Sequence, residues 1–99
     1  MKYVVTYQSV PDFEALADQH FPAHLDHLQK FHQRGTMLAM GPLQEPYNGE
    51  GLGVFTSQEA AEEFVATDPF VVNGVIAKHT IRAWQEGFLP GPDAADQQS

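Results

Sequence analysis

The chain has 99 residues and a mass of 11.0 kDa, which suits a single domain with one hydrophobic core. Its 13 acidic and 5 basic residues give a net charge of −8, and nucleic-acid binding is not expected because it relies on clustered Lys and Arg. The lack of cysteine excludes disulfides, thiolate metal sites and a cysteine nucleophile. With no signal-like segment and no apolar run of membrane length, we expect a cytoplasmic protein without a membrane contact.

The start of the chain predicts a strand followed by a helical region. Residues 2–8 are rich in β-branched and aromatic side chains, which favour a strand. Apolar residues then recur at helical spacing from Asp12, which we expect to be the N-cap. Pro22 lacks the amide hydrogen that a helix interior requires. We therefore expect a short helix over residues 12–19 and a main helix over residues 22–34.

The rest of the chain predicts three more strands and a second helix. Gly35 is a helix-ending residue, and Ser57 is the expected N-cap of the second helix, which ends near Asp68-Pro69. A residue that precedes proline avoids the helical conformation, so Asp68 is expected in a turn. The predicted strands cover residues 36–43, 51–55 and 75–84, and a helical turn covers residues 70–74.

The order of elements, strand, helix, strand, strand, helix, strand, predicts an α+β fold. Right-handed crossovers place both helices on one face of a four-stranded sheet. We expect the alternating row Tyr3, Val5 and Tyr7 on the other face. Because this row is too apolar to stay exposed to water in a monomer, we expect a homodimer through that sheet face. The single domain is predicted over residues 1–90, with a disordered tail over residues 91–99.

Four of the five histidines lie in the first helical region, and His24 has the most favourable position for chemistry. It falls at the border of the buried stripe, where a neighbour can hold one tautomer and titration near neutral pH suits proton transfer. A core histidine with one hydrogen bond is the alternative. His20, His24 and His27 also have the spacing of metal ligands on one helical face, but Pro22 interrupts that face, so no metal site is predicted.

The Asp68-Pro69-Phe70 segment is the second candidate. A carboxylate fixed before proline at a helix end is able to point at a histidine of the neighbouring helix. The same sequence is also an ordinary turn in which the aspartate caps the backbone. A similar choice exists at Gly41-Pro42, which ends a strand and either lets the backbone approach a ligand or is a plain turn.

Several segments together resemble the YciI-like family over about residues 2–85. They are Pro22-Ala23-His24-Leu25 with Leu28, Gly35, Gly41-Pro42, Ser57-Gln58-Glu59-Ala60-Ala61, and Asp68-Pro69-Phe70 with Gly74-Val75. The resemblance lies in the order and spacing of these segments. It implies a ferredoxin-like α+β barrel with a four-stranded antiparallel sheet, formed by a homodimer.

The resemblance also implies an active site in which His24 and Asp68 form a dyad in a cleft. A related member is a dehydrochlorinase, so proton transfer on a small cyclic or aromatic-derived substrate, without a cofactor, is the leading function. Gly41, Pro42, Phe21 and Phe70 are the expected substrate-binding residues. Family members often carry arginine at the position of Phe21, which leaves this chain without that cationic anchor unless Arg34 or Arg82 replaces it.

The sequence is also compatible with two other functions. The same cleft would serve a non-catalytic binding or sensing module for small molecules. A cofactor-free monooxygenase of the same barrel type is the third reading. The sequence does not identify the substrate.

Overall fold

A computed structural model describes residues 1–87. The predicted order of elements is confirmed in this part of the chain, with a short additional helix where the sequence predicts one helical turn. The predicted tail over residues 91–99 and the end of the predicted domain lie outside the described residues. The elements are β1 Lys2–Ser9, α1 Glu14–Gln33, β2 Met37–Pro42, β3 Glu50–Phe55, α2 Gln58–Thr67, α3 Pro69–Val72 and β4 Ile76–Trp84.

The four strands form one antiparallel sheet in the order β2, β3, β1, β4. Strand β1 is central, and its Val5 lies opposite Gly53 of β3 and Ile81 of β4. Phe31 of α1 and Phe64 of α2 meet the same core cluster, so both long helices cover one face of the sheet. The fold is therefore ferredoxin-like α+β, as predicted.

The expected orientation of β1 is wrong. Val5 is fully buried and Tyr7 is 5% exposed in the core beneath the helices, with Tyr3 packed beside them. Alternation along a strand separates two faces but does not say which face the helices cover. The uncovered face instead carries the alternate positions, and residues that pair across strands share it: Val4, Val54, Leu52, Thr6, Thr80 and Trp84.

Helix α1 is continuous, so the expected break at Pro22 is also wrong. The proline removes one interior hydrogen bond at a cost of about 3 kcal/mol. The helix persists because one continuous stripe, which includes buried His24 and Phe31, packs against the rest of the protein. Asp12 is not the N-cap: α1 begins at Glu14, and no side chain caps its first turn.

The start and end of α2 follow the sequence closely. The Ser57 hydroxyl accepts a hydrogen bond of 3.1 Å from the Ala60 amide, which confirms the predicted N-cap. Asp68 has extended backbone angles, φ −64° and ψ 123°, and lies between α2 and α3 as the predicted turn residue. No helix in residues 1–87 has the length and apolar character needed to cross a membrane.

Candidate active site

Asp68 is a fully buried carboxylate at the junction of α2 and α3. Its Oδ1 atom accepts a hydrogen bond of 3.0 Å from the Phe70 amide, which makes Asp68 the N-cap of α3. The same oxygen lies 2.7 Å from Nδ1 of His24, and Oδ2 accepts a hydrogen bond of 2.8 Å from the Tyr7 hydroxyl. The two readings of Asp68, cap and partner of a histidine, therefore both describe this side chain.

His24 lies deeper than a border position, at 7% exposure. A carboxylate only accepts hydrogen bonds, so the contact with Asp68 places a proton on Nδ1, and in the neutral imidazole Nε2 then carries the lone pair. Within residues 1–87, every fully buried side-chain N or O atom has a hydrogen-bond partner. Since Nε2 has no protein partner there, it is not fully buried, and His24 lines a cavity.

Two aromatic rings hold the imidazole of His24 in place. Phe70 stacks on it with parallel planes, 1° apart, and ring centroids 3.8 Å apart. Phe21, one turn earlier on α1, is tilted and has its centroid 6.4 Å away. The stacked ring and the Asp68 hydrogen bond together fix both the plane and the direction of the imidazole.

Tyr7 is a member of this cluster that the sequence reasoning missed. Burial, together with the charge and the hydrogen bond of Asp68, raises the pKa of the Tyr7 hydroxyl well above its ordinary value of 10.0. Tyr7 therefore stays protonated and acts as a donor. The available signal was a tyrosine on a predicted strand with alternating burial, because a buried tyrosine hydroxyl requires a partner.

The accessible edge of His24 lies on a cavity of about 270 Å³ between α1 and the sheet. The four residues expected to bind substrate, Phe21, Gly41, Pro42 and Phe70, all line this cavity. Asp68 does not line it but contacts two residues that do, His24 and Tyr7. The structure thus brings the predicted residues together, with Asp68 behind the imidazole.

Most of the remaining wall is apolar and was not predicted. It includes Phe13, Leu28, Met40, Tyr47, Val75 and Ile76. Met40 lies across Gly53, where an added Cβ atom would overlap the Met40 sulfur. These residues come from three elements and three connecting segments, and no local sequence pattern connects them.

The charged residues that border the cavity are acidic. They are Asp18 and Glu50, although Glu50 pairs with Gln8 and belongs to the uncovered sheet face, and no Lys or Arg of the described chain lines the cavity. Arg34 pairs with Glu63 at 3.2 Å, and Arg82 belongs to the uncovered sheet face opposite Val4. Neither arginine therefore replaces the arginine that family members often carry at the position of Phe21.

The histidines of α1 do not converge on a common point. Nε2 of His27 lies 3.1 Å from the Phe64 carbonyl oxygen and 3.2 Å from the Thr67 hydroxyl, so it contacts α2, whereas His24 faces the cavity. Among residues 1–87, no group of three or more His, Asp or Glu side chains is arranged to hold a metal ion.

The fold and the cavity place the chain among small ferredoxin-like α+β proteins, here with a buried carboxylate hydrogen-bonded to an imidazole that lines a small apolar cavity. Within that class, the chain matches the YCII-related domain family over residues 1–85 and belongs to it. It is 31% identical over 98 residues to the protein YciI of Escherichia coli, a match that covers 89% of this chain and all of that protein.

Solved structures support the same fold. The 5-chloro-2-hydroxyhydroquinone dehydrochlorinase TftG of Burkholderia phenoliruptrix, in complex with 2,5-dihydroxybenzoquinone, superposes with a TM-score of 0.72 at 19% identity. The match covers 88% of this chain and 96% of TftG. An antibiotic biosynthesis monooxygenase superposes with a TM-score of 0.56 at 16% identity, covering 87% of this chain and 97% of that chain.

Proposed function

We propose that this protein is a small acid–base enzyme in which Nε2 of His24 transfers a proton to or from a small cyclic or aromatic-derived substrate held in the cavity. The observation that carries the proposal is the 2.7 Å contact between His24 Nδ1 and Asp68, combined with an Nε2 atom that has no protein partner in the described chain. A fixed tautomer with an accessible lone pair is what a general base requires.

Each residue of the cluster has a defined part in this reaction. His24 is the catalytic residue because its Nε2 meets the substrate. Asp68 is a positioning residue: it holds the proton on Nδ1 and stabilises the imidazolium that forms when Nε2 accepts a proton. Phe21, Phe70, Gly41 and Pro42 form walls against which a ring lies. The proposal uses no cofactor and no metal ion.

Elimination of HCl is the reaction type that the fold similarity to TftG favours. In such a step Nε2 of His24 accepts the proton that the substrate loses, and chloride leaves with the electron pair of the C–Cl bond. A chlorinated hydroxyhydroquinone is thereby converted into a hydroxyquinone and HCl. Isomerisation of a small ring would use the same nitrogen, first as base and then as acid.

Chloride release from 5-chloro-2-hydroxyhydroquinone tests the proposal. We expect His24→Ala and Asp68→Asn each to lower the rate by about 10²- to 10⁴-fold, the usual contribution of acid–base catalysis. His20→Ala is the matched control, since His20 lies on the same helix but does not line the cavity, and its rate should stay within about twofold of the wild type. Circular dichroism verifies that each variant is folded, and full activity in both dyad variants would contradict the proposal.

A non-catalytic binding or sensing module is the first alternative. The observation in its favour is that the cavity offers a ligand one imidazole nitrogen among largely apolar walls. In this case the wild-type protein would bind the chlorinated ring and change the His24 tautomer, detected by ¹⁵N NMR, without releasing chloride.

A cofactor-free monooxygenase is the second alternative, favoured by the fold similarity to an antibiotic biosynthesis monooxygenase. It would consume oxygen with a quinol substrate, which an oxygen electrode detects. Oxygen uptake without chloride release would show that the protein catalyses oxidation of the quinol and not elimination of HCl.

The proposal also includes the setting of the enzyme. We propose a cytoplasmic location, because a sequence without cysteine has no disulfide that would call for an oxidising compartment. We further propose that the protein acts as a homodimer joined through the uncovered sheet face, without a nucleic-acid partner, since its net charge is −8.

A further inference from the structure

We infer that the cavity selects a neutral ring that carries hydroxyl groups and rejects a ring that carries a carboxylate. This inference rests on the proposed function, because it names the substrate class of the same site. Three observations lead to it: the charges on the cavity wall, the placement of every basic residue of the chain, and the side chain at position 21.

The cavity wall carries one carboxylate and no Lys or Arg among the described residues. Asp18 on α1 lines the cavity from an exposed position and forms no ion pair with another described residue. Glu50 also borders the cavity, but it pairs with Gln8 and so belongs, like Lys78, to the uncovered sheet face. Nε2 of His24, on a side chain that is 7% exposed, is a polar atom beside the same space without a protein partner in the described chain. A ligand in this cavity therefore meets largely apolar walls, one carboxylate and the imidazole nitrogen.

All 5 basic residues of the sequence lie within the described chain, and none of them lines the cavity. Three are engaged in ion pairs elsewhere, and two belong to the uncovered sheet face opposite residues of β1. The ion pairs are Lys2 with Glu86, Lys30 with Asp26 and Arg34 with Glu63. The two residues on the uncovered sheet face are Lys78 and Arg82. No cation of this chain is thus placed to attract an anionic ligand.

The physical consequence is a preference set by charge. A carboxylate on the ligand would lose hydration among apolar walls without meeting a cation, and the Asp18 carboxylate would repel it. Hydroxyl groups on a neutral ring instead donate hydrogen bonds to Nε2 of His24 and to the Asp18 carboxylate. A volume of about 270 Å³ is at the small end for ligand sites and suits a single ring.

Phe21 is the residue through which this preference is set. It lines the cavity beside His24 and offers an apolar ring. Arginine at this position would bring a guanidinium group, the strongest carboxylate binder among side chains, to the wall. Phe21 is therefore a specificity-determining residue, and its replacement tests the inference directly.

The first experiment compares two ligands that differ mainly in charge. 4-Methylcatechol and 3,4-dihydroxybenzoate share one dihydroxylated ring, and the second carries a carboxylate at pH 7. We expect the wild-type protein to bind 4-methylcatechol at least about tenfold more tightly, as measured by calorimetry or NMR titration. Equal affinity, tighter binding of the benzoate, or no binding of either ring would overturn the inference.

The second experiment changes the charge on the cavity wall and measures the ratio of the affinities for 4-methylcatechol and 3,4-dihydroxybenzoate. Phe21→Arg should narrow or reverse this ratio. Leu25→Arg adds the same charge on the same helix outside the cavity and should leave the ratio unchanged. Asp18→Asn should narrow the ratio as well, with Glu62→Gln on α2 as its matched control. This variant provides the test if Phe21→Arg does not fold. An unchanged ratio in the folded variants would overturn the inference.

These readouts separate the inference from the proposed function. The affinity ratio is measured by binding alone, whereas the proposed function predicts loss of chloride release in His24→Ala. Preferential binding of the neutral ring without chloride release would support the inference and contradict the proposed enzymatic function. Chloride release together with tighter binding of the anionic ring would support the proposed function and contradict the inference.

Discussion

The Tyr7 hydroxyl donates a hydrogen bond of 2.8 Å to Oδ2 of Asp68, a residue 61 positions away in the sequence. This bond connects the central strand β1 to the junction of α2 and α3. The other carboxylate oxygen contacts His24 on α1 and the Phe70 amide. The carboxylate is thus held from three directions, and its position depends on the strand as much as on the helices.

Tyr7→Phe should destabilise the protein. The substitution leaves Oδ2 of the buried Asp68 without a partner, which costs about 1–3 kcal/mol in the free energy of unfolding. Urea denaturation measures this difference. Tyr3→Phe is the matched control, because Tyr3 lies on the same face of β1 and its hydroxyl has no hydrogen bond to another described residue. A loss of equal size in both variants would contradict the role of the Asp68 hydrogen bond.

The raised pKa of Tyr7 predicts a pH dependence of stability. Above pH 10 the unfolded chain releases the Tyr7 proton while the folded protein retains it, so the unfolded state binds fewer protons and stability falls as pH rises. At pH 11 this contribution is about 1.4 kcal/mol relative to neutral pH. Urea unfolding of the wild type and of Tyr7→Phe at pH 8, 10 and 11 isolates the Tyr7 contribution, because all other ionisable groups are present in both proteins. If the free energy of unfolding falls equally with pH in both proteins, the contribution of Tyr7 is contradicted.

Phe70→Leu should loosen the imidazole of His24 by removing the ring stacked on it at 3.8 Å. We expect a loss of about 0.5–1.5 kcal/mol beyond the lost apolar area, and broader His24 side-chain signals in NMR. Phe21→Leu makes the same change in a ring that is tilted and 49% exposed, so it should alter the His24 signals much less. Equal effects of the two substitutions would mean that stacking does not fix the imidazole.

Gly49→Ala should destabilise the cavity wall more than Gly74→Ala. Both glycines have positive φ, 87° and 78°, where a Cβ atom costs about 1–2 kcal/mol. A Cβ atom at position 49 would also approach Phe13 and Ser9 to 2.9 Å, whereas at position 74 it meets nothing within 4 Å. We expect an extra loss of about 1–3 kcal/mol for Gly49→Ala in urea denaturation. Equal losses would show that the loop relaxes freely.

The proposed homodimer is tested on the uncovered sheet face. Leu52 lies there at 39% exposure, opposite Thr6, and Leu52→Lys would place a charge in the interface. We expect a dimer for the wild type and a monomer for Leu52→Lys in sedimentation velocity. Val72→Lys, on α3 and away from that face, is the control and should remain dimeric. A monomeric wild type would refute the dimer.

The order of elements was predictable because each signal is local. Ser57 caps α2 through a bond to an amide three residues on, and Pro69 keeps Asp68 out of the helix. Pro22 misled the interpretation for the opposite reason. Its local penalty is real, but burial of residues along α1 against the sheet outweighs it, and that burial depends on tertiary contacts that no local pattern reports.

The candidate site was predictable only in part. His24 and the Asp-Pro turn stand out by residue type and through the family resemblance, and the structure places them 2.7 Å apart. Tyr7 could not be placed without knowing which face of β1 the helices cover. The apolar wall was equally hidden, since Leu28, Met40 and Ile76 meet at one cavity from distant parts of the chain.

The contact between Met40 and Gly53 has a consequence for the shape of the cavity. Met40 borders the cavity and occupies the space that a side chain at position 53 would fill. A methionine is unbranched and its thioether adapts to different shapes, so it changes conformation at little energetic cost. A side chain larger than glycine at position 53 would therefore have to displace Met40, and the volume of the cavity depends on these two positions together.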